Sequence, residues 1–284
     1  MRDAALALQR LAELPLERAV CLHEPPERRH QPVVDRALHH ARNLTPQMLT
    51  DQIAGRTVVE WTTSDRSKKE WDMRIAILGA GNVGGAVATA AVRAGHDVVI
   101  AATSAEHAQK AADSAGASAA ASNAEAVRGA DLVLLAVPHA AVTGIATELG
   151  EALTGKVLVD VTNPLNDTYS DLVTGGVSAA EQLQAQVTGA SVVKAFNTIL
   201  ASRHSNPVES GAPLDAFIAG DDGAAKDTVA ELASSLGYRV IDAGGLRMAR
   251  SLEEMALLNI SLNARNGWSW QSGWKLVGPV GGAA

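Results

Sequence analysis

The apolar run Ile75 to Leu78 passes directly into Gly79-Ala-Gly81-Asn-Val-Gly84, and an Ala/Val-rich segment then continues to Gly95. A strand that turns through Gly-x-Gly-x-x-Gly into a helix admits few folds, and it carries the dinucleotide-binding pattern. Each glycine has its own task. Gly79 lets the chain turn sharply off the strand, Gly81 lets backbone approach a pyrophosphate, and Gly84 lets the helix pack closely on the sheet. The unpaired N–H groups and positive dipole end of that helix then face the phosphates, together with Ala80, Asn82 and Val83.

The pattern begins 72 residues into a chain of 284. Residues 1–72 hold 11 basic and 11 acidic side chains, so the net charge of −7 belongs to the remainder. They also hold four of the eight histidines, and their clearest periodicity is an amphipathic stretch from Ala4 to Val20, interrupted by Pro15. Lys68-Lys69-Glu70 can be encoded by a purine-rich ribosome-binding sequence two codons before Met73. The expectation is therefore that residues 1–72 are upstream sequence read in frame, the alternative being a genuine, poorly structured extension.

From Met73 onward, strand and helix patterns alternate, which implies a mostly parallel α/β sheet. Strands are expected at Arg74–Leu78, Asp97–Ala101, Asp131–Val137, Val157–Val161, Val192–Ala195, Ala216–Ala219 and Tyr238–Asp242. Helices are expected at Val83–Ala94, Ala105–Ala115, Asn123–Arg128, Ala140–Ala152, Ala179–Gln186 and Ala224–Leu236, with Asn123 and Asp221 or Asp222 as caps. Leu200 to Pro213 reads as an irregular surface loop, and Leu246 to Val277 as a long helical tail. The expected architecture is a Rossmann-like sheet with helices on both faces. Residues 73–200 form the NAD(P)-binding domain, and 201–284 are a small C-terminal portion that completes the sheet and ends in a long helix.

Aromatic residues make up only 3 % of the chain, so the core must come from Ala, Val, Leu and Ile, which suits buried parallel strands. No basic stripe accompanies the negative charge, which argues against nucleic acid. No apolar run reaches the roughly 18 residues a membrane span requires. Cys21 is the single cysteine and no secretory signal is visible, which points to a reducing cytoplasm.

Ligands of open α/β sheets sit beyond the carboxyl ends of the strands. There the sequence places Gly79–Gly84, then Thr103 and Ser104, then Val137, Pro138 and His139, then Asn163, and finally Asn197 and Thr198. An acidic residue closing the second strand would select NAD. Thr103 and Ser104 stand there instead, with His107 one turn on, and these can donate to a 2′-phosphate; NADP is the favoured cofactor and NAD the alternative. His139 either contacts the cofactor or only shields its turn. Lys194 lies in a strand that should be buried, where its ammonium needs a partner such as Asp160. Glu253 and Glu254 read as solvated or paired with Arg250 on one helix. Trp268, Trp270 and Trp274 read as a packing or dimer seam, with covering a redox ring as the alternative. No catalytic dyad or metal cluster stands out.

These residues resemble the NADPH-dependent oxidoreductases of the deazaflavin coenzyme F420. The resemblance runs from Met73 to about Gly278 on Arg74-Ile-Ala-Ile-Leu-Gly-Ala-Gly-Asn-Val-Gly84, Ala136-Val-Pro-His139, Asp160-Val-Thr-Asn-Pro-Leu165 and Val193-Lys-Ala-Phe-Asn-Thr198. It continues through Ala219-Gly-Asp-Asp222, Ile241-Asp-Ala-Gly-Gly-Leu246 and Arg250-Ser-Leu-Glu253. The family's usual Ser-Arg pair after the second strand is Ala102-Thr103 here. The resemblance implies direct hydride transfer between NADP(H) and F420, catalysed by orientation and exclusion of water, with no catalytic side chain. It places Gly81, Asn82 and Val83 at the pyrophosphate and Thr103 and Ser104 at the 2′-phosphate. Pro138, His139 and Asn163 line the ribose and nicotinamide, with Asn197 and Thr198 by the ring stack. The partners implied are a small redox molecule and a second copy of the chain, a homodimer. Two alternatives stay open: a reductase of another small acceptor (flavin, quinone or ferric chelate) and an NADPH-binding sensor without turnover.

Overall fold

The computed structural model describes residues 72–278 with their side chains and, before them, the backbone of three strands. The chain divides into two compact units, Met1–Lys69 and Glu70–Ala284. In the first, β1 (Val20–His23), β2 (Leu49–Ile53) and β3 (Arg56–Glu60) form an antiparallel sheet in the order β1-β3-β2. The rest of that segment, including the amphipathic stretch before Val20, lies outside the described residues.

The second unit is built on an eight-stranded sheet. Its strands are β4 (Arg74–Leu78), β5 (Asp97–Ala101), β6 (Ser118–Ala119), β7 (Leu132–Leu135), β8 (Val157–Asp160), β9 (Ser191–Ala195), β12 (Asp215–Gly220) and β13 (Arg239–Asp242). The short pair β10 (Val208–Glu209) and β11 (Ala212–Pro213) forms a separate hairpin. The spatial order β6-β5-β4-β7-β8-β9 is parallel throughout and reverses direction of travel at β4, the dinucleotide-binding topology. β12 then joins β9 antiparallel, and β13 joins β12 parallel.

The central strands are apolar on both faces because helices cover both. Ile75 and Ile77 of β4 enter one core, and Ala76 and Leu78 enter the other, as the period of two along a strand demands. The first core is closed by α1 (Asn82–Ala94), α2 (Ala105–Ala115) and α6 (Gly223–Ser235), through Val87, Ala112 and Leu232 among others. The second is closed by α3 (Asn123–Val127), α4 (His139–Leu149), α5 (Ala179–Gln186) and the first turn of α7 (Ala249–Asn266). Each large aliphatic buried in this way stabilises the fold by about 1.5–3 kcal/mol before entropy is charged against it. The alanine-rich composition lets these helices lie close to the strands.

Local signals fix the helix ends. Ser104, Ser122, Ser178 and Asp222 each accept an N–H bond from the first turn of α2, α3, α5 and α6 respectively. Ser178 and Glu181 complete a reciprocal capping box. The cap of α3 is thus Ser122 rather than Asn123, which opens the helix itself. The tail expected to be helical to Val277 stops at Asn266, where Gly267 takes a left-handed φ of 63°. Residues beyond it form no regular element, and the Asp215 N–H of β12 donates to the Trp274 carbonyl at 3.1 Å. The expected surface loop from Leu200 to Pro213 also carries more structure: a 3-10 turn, the β10–β11 hairpin, and two buried side chains, Arg203 and His204.

Candidate functional site

The turn between β4 and α1 is shaped by three glycines for three different reasons. Gly79 sits at φ +116°, and a Cβ there would stand 2.2 Å from the Ala136 carbonyl oxygen. A Cβ on Gly84 would stand 2.0 Å from the Gly79 carbonyl oxygen, so α1 seats directly on the turn that precedes it. A Cβ on Gly81 would meet nothing within 4 Å, and the residue is exposed. Two glycines therefore serve packing, and the third keeps an open approach. The Gly79 N–H donates to the Ala101 carbonyl at 2.8 Å, tying the turn to the end of β5. Ala80 and Val83 pack against the core beneath.

α1 opens without a side-chain cap and without an acidic residue in its first turn, and the Gly85 N–H donates to the Gly81 carbonyl at 2.9 Å. The amides of Asn82, Val83 and Gly84 precede that bond, as the unpaired amides of any helix start do. With the helix dipole behind them they form an anion cradle.

At the end of β5, Thr103 and Ser104 are exposed. The Ser104 hydroxyl accepts from the His107 N–H at 3.2 Å, and its own proton remains available to a phosphate oxygen. The first turn of α2 also carries Glu106, an acidic neighbour that opposes a phosphate there. After β7, Val137 reaches the elbow: its Cγ1 lies 3.0 Å from the position of a Cβ on Gly79. Pro138 precedes α4 and His139 begins it, with the imidazole Nδ1 buried and unpartnered.

The ends of β8 and β9 are clasped by two asparagines. The Asn163 Nδ2 donates to the Asn197 carbonyl at 3.0 Å, and the Asn197 Nδ2 donates to Asn163 Oδ1 at 3.0 Å and to the Leu252 carbonyl at 2.9 Å. Backbone carbonyls only accept, so both amides have a fixed orientation and Asn197 Oδ1 is left buried without a donor. Phe196 adopts a left-handed φ of 61°, unusual for a bulky residue, and so swings the chain off β9 toward the cavity edge.

A cavity of about 130 Å³ opens here, walled by Val83, Asn163, Phe196, Asn197, Thr198 and Asn259 among others. Its volume is near the ~150 Å³ known to hold one benzene ring. The Thr198 hydroxyl is buried and lacks a partner, as Asn197 Oδ1 does. The structure therefore brings Val83, Asn163, Asn197 and Thr198 together around one cavity. Gly79–Gly84 and Val137 share the elbow that contributes Val83 to that wall. Thr103 and Ser104 lie apart from the cavity, at the end of β5.

Beneath the clasp, Lys194 is fully buried and reaches Asp160 Oδ2 at 2.9 Å, Glu253 Oε1 at 2.9 Å and the Thr162 carbonyl at 2.6 Å. Its three protons are matched by three acceptors, so the pairing with Asp160 holds and no proton is left for a ligand. Asp160 Oδ1 accepts from the Thr162 N–H at 2.8 Å, which shapes the backbone one residue before Asn163. Glu253 also accepts the Ala179 N–H at 3.0 Å, at the start of α5. Burial raises the Glu253 carboxyl above its usual range, against the pull of Lys194.

The expectation that Glu253 is solvated or paired with Arg250 is corrected: it is 1 % exposed, and Arg250 instead forms a fork with Glu181, both contacts at 2.7 Å. That fork holds the Glu181 carboxyl down at about 2 and joins α5 to α7. Adjacent carboxylates at 253 and 254 look alike in sequence; the packing of α7 on β9 buries one and leaves the other exposed. Trp268, Trp270 and Trp274 lie on the segment after α7, and the first two are exposed. None of the three walls the cavity. Among the described residues no cluster of His, Cys, Asp or Glu has the make-up of a metal site.

Comparison with known proteins points the same way. The model of the family described as NADP oxidoreductase coenzyme F420-dependent matches residues 74–164. The F420-dependent NADP reductase of Methanothermobacter marburgensis is 37 % identical over 216 residues, spanning 68 % of this chain and 94 % of that relative. The chain belongs to this family of F420-dependent NADP oxidoreductases. The reductase of the same name from Methanothermobacter thermautotrophicus is 35 % identical, over 68 % of this chain and 90 % of its own. The crystal structure of a candidate F420-dependent NADP-reductase from Arthrobacter sp. FB24 superposes with a TM-score of 0.63 at 34 % identity, covering 69 % of this chain and 96 % of that one.

One cavity-lining residue of this F420-dependent oxidoreductase family member is absent from the sequence-based expectations: Asn259. It is 5 % exposed, on the inward stripe of α7 with Leu252, Ala256 and Asn263. A signal was present: two asparagines occupy positions that the apolar period of the helix assigns to the core.

Proposed function

We propose that this chain transfers a hydride between NADP(H) and coenzyme F420. Family membership supports the reaction class, and one structural observation carries the residue-level reading. The open elbow at Gly81 and the ring-sized cavity share Val83, so a ligand whose pyrophosphate sits on α1 has its redox end at the cavity. The buried, unpartnered Asn197 Oδ1 and Thr198 hydroxyl fit a polar aromatic ligand, since an apolar one would leave both unsatisfied.

NADP(H) bound here supplies or accepts a hydride at its nicotinamide ring, with the deazaflavin as the other party. The protein's share is positioning. Gly79 and Gly84 hold the elbow, while Gly81, Asn82 and Val83 offer backbone N–H groups to the pyrophosphate. Thr103 and Ser104 donate to the 2′-phosphate, without an arginine beside them and with Glu106 nearby, so affinity for that phosphate is modest. Val137, Pro138, His139 and Asn163 line the ribose and nicotinamide, and Asn197 and Thr198 orient the ring. Orienting two flat rings while excluding water can supply much of the rate without an acid or base.

Residues 73–200 act as the nucleotide-binding part and 201–284 complete the sheet and wall the second substrate. A homodimer in the cytoplasm is the assembly and location proposed; among the described residues, no helix is long and apolar enough to cross a membrane. Purified protein mixed with NADPH and oxidised F420 should consume both, while FMN and ferric chelate should leave NADPH unoxidised. Absence of turnover with F420 in either direction would refute the assignment.

A further inference from the structure

α7 contributes a second buried asparagine to the cavity, and its orientation is fixed by a chain of contacts. The Asn259 backbone carbonyl accepts from the Asn263 Nδ2 at 2.8 Å, which identifies that atom as nitrogen. The same nitrogen lies 2.6 Å from the Ser272 hydroxyl, which accepts from it and passes its own proton to Asn259 Oδ1, also at 2.6 Å. The Asn263 Nδ2 lies 3.0 Å from the same Oδ1. The side-chain oxygen of Asn259 is therefore committed to this network. Its Nδ2 is left buried without an acceptor, although the residue walls the cavity.

Asn197, which lines the same cavity, has the opposite pattern. Both protons of its amide are used, and its Oδ1 has no donor. Two residues of one cavity lining thus hold an unpaired N–H donor and an unpaired acceptor, and both are buried, at 5 % exposure each. Buried groups of this kind are costly to leave unmade, so a ligand that satisfies both gains selectively over one that cannot.

We infer that Asn259 is a specificity-determining residue that donates its Nδ2–H to a carbonyl oxygen of the bound ring, while Asn197 Oδ1 accepts from the N–H beside that carbonyl. The recognised chemistry is an amide-type edge, a C=O adjacent to an N–H. The proposed reaction has two sources of it: the carboxamide of the nicotinamide and the pyrimidine edge of the deazaflavin. The identity of these ligands rests on the hydride-transfer reading above. Ser272 lies on the segment following α7, so that segment has a part in the site: it holds the Asn259 oxygen and so directs the nitrogen.

The test uses Asn259→Asp, which keeps the oxygen that Ser272 and Asn263 bind and replaces the donor by an acceptor. Asn259→Ala serves as a second variant should the first fold poorly. Calorimetric titration with NADPH and with 2′,5′-ADP, which lacks the nicotinamide, is paired with the KM for F420. At least tenfold weaker NADPH binding with unchanged 2′,5′-ADP binding assigns the contact to the carboxamide. Unchanged NADPH binding with a KM for F420 raised at least tenfold assigns it to the deazaflavin. Unchanged values throughout overturn the inference, and so does equal weakening of 2′,5′-ADP, which would mark a merely structural role. Wild-type protein that binds NADPH but fails to turn over F420 sinks the activity assignment while leaving the carboxamide arm readable.

Discussion

Replacing Lys194 by methionine should be the most damaging single change in the sheet. Lys194 is 0 % exposed, and its partners Asp160 and Glu253 are each 1 % exposed. Removing the cation strands two carboxylates out of water, and breaking such a buried pair typically costs about 3–5 kcal/mol. An independent route gives a similar figure. If one stranded carboxyl escapes by taking a proton at about pH 7, moving it from its ordinary value of 4.5 takes two and a half units at about 1.36 kcal/mol each, or about 3.4 kcal/mol. The sign with pH follows from Glu253, which burial already raises. A carboxyl raised in the folded state contributes fully below its unfolded value and loses that contribution as pH rises. The deficit of Lys194→Met should therefore shrink by about 1.4 kcal/mol for each unit that pH falls from 7 toward 5. Urea unfolding of wild type and variant at both ends of that window measures it. A deficit below about 1 kcal/mol, or one that is the same at both pH values, would refute the account of a paired, buried charge cluster.

Other perturbations separate packing from chemistry. Gly84→Ala places a methyl 2.0 Å from the Gly79 carbonyl oxygen and should destabilise by about 1–3 kcal/mol by thermal unfolding, as overpacking does. His204 is completely buried and its imidazole is depressed by that burial to about 4. A histidine kept neutral in the fold costs stability as pH falls from 6.5 through 4, by up to about 3 kcal/mol, and the slope should vanish in His204→Leu. The Glu181 carboxyl, held at about 2 by Arg250, contributes stability above 4.5 that is lost as pH falls toward 2. Arg250→Met should flatten the difference in unfolding free energy across that window.

The period-two and helical patterns carried most of the fold. β4, β5, α2 and α5 occupy the residues their sequence patterns predict, because each pairs a clean apolar period with a capping residue or a glycine stop. Where the pattern failed, a competing interaction won. The helical tail ended early because Gly267 takes the left-handed cap. The loop after Leu200 hides His204, stacked edge-on against Phe196 and Tyr238 with centroids 6.2 and 5.9 Å away; no local pattern announces a buried histidine. The glycine elbow was legible since its residues are contiguous. Glu253 was not, because its partner Lys194 belongs to β9 and meets it only when α7 packs there, a contact no spacing encodes. The clasp of Asn163 with Asn197 joins residues 34 apart in sequence, and only the parallel pairing of β8 with β9 makes them neighbours.

The glycine elbow as a phosphate cradle is tested most directly by calorimetric titration of NADPH into wild type and Gly81→Ala. A methyl at Gly81 meets nothing within 4 Å, so the variant should unfold within about 0.5 kcal/mol of wild type. It should nonetheless bind NADPH at least tenfold more weakly, because the methyl occupies the pyrophosphate's approach. Equal affinity in the two proteins, or no binding of NADPH by wild type, would contradict the account.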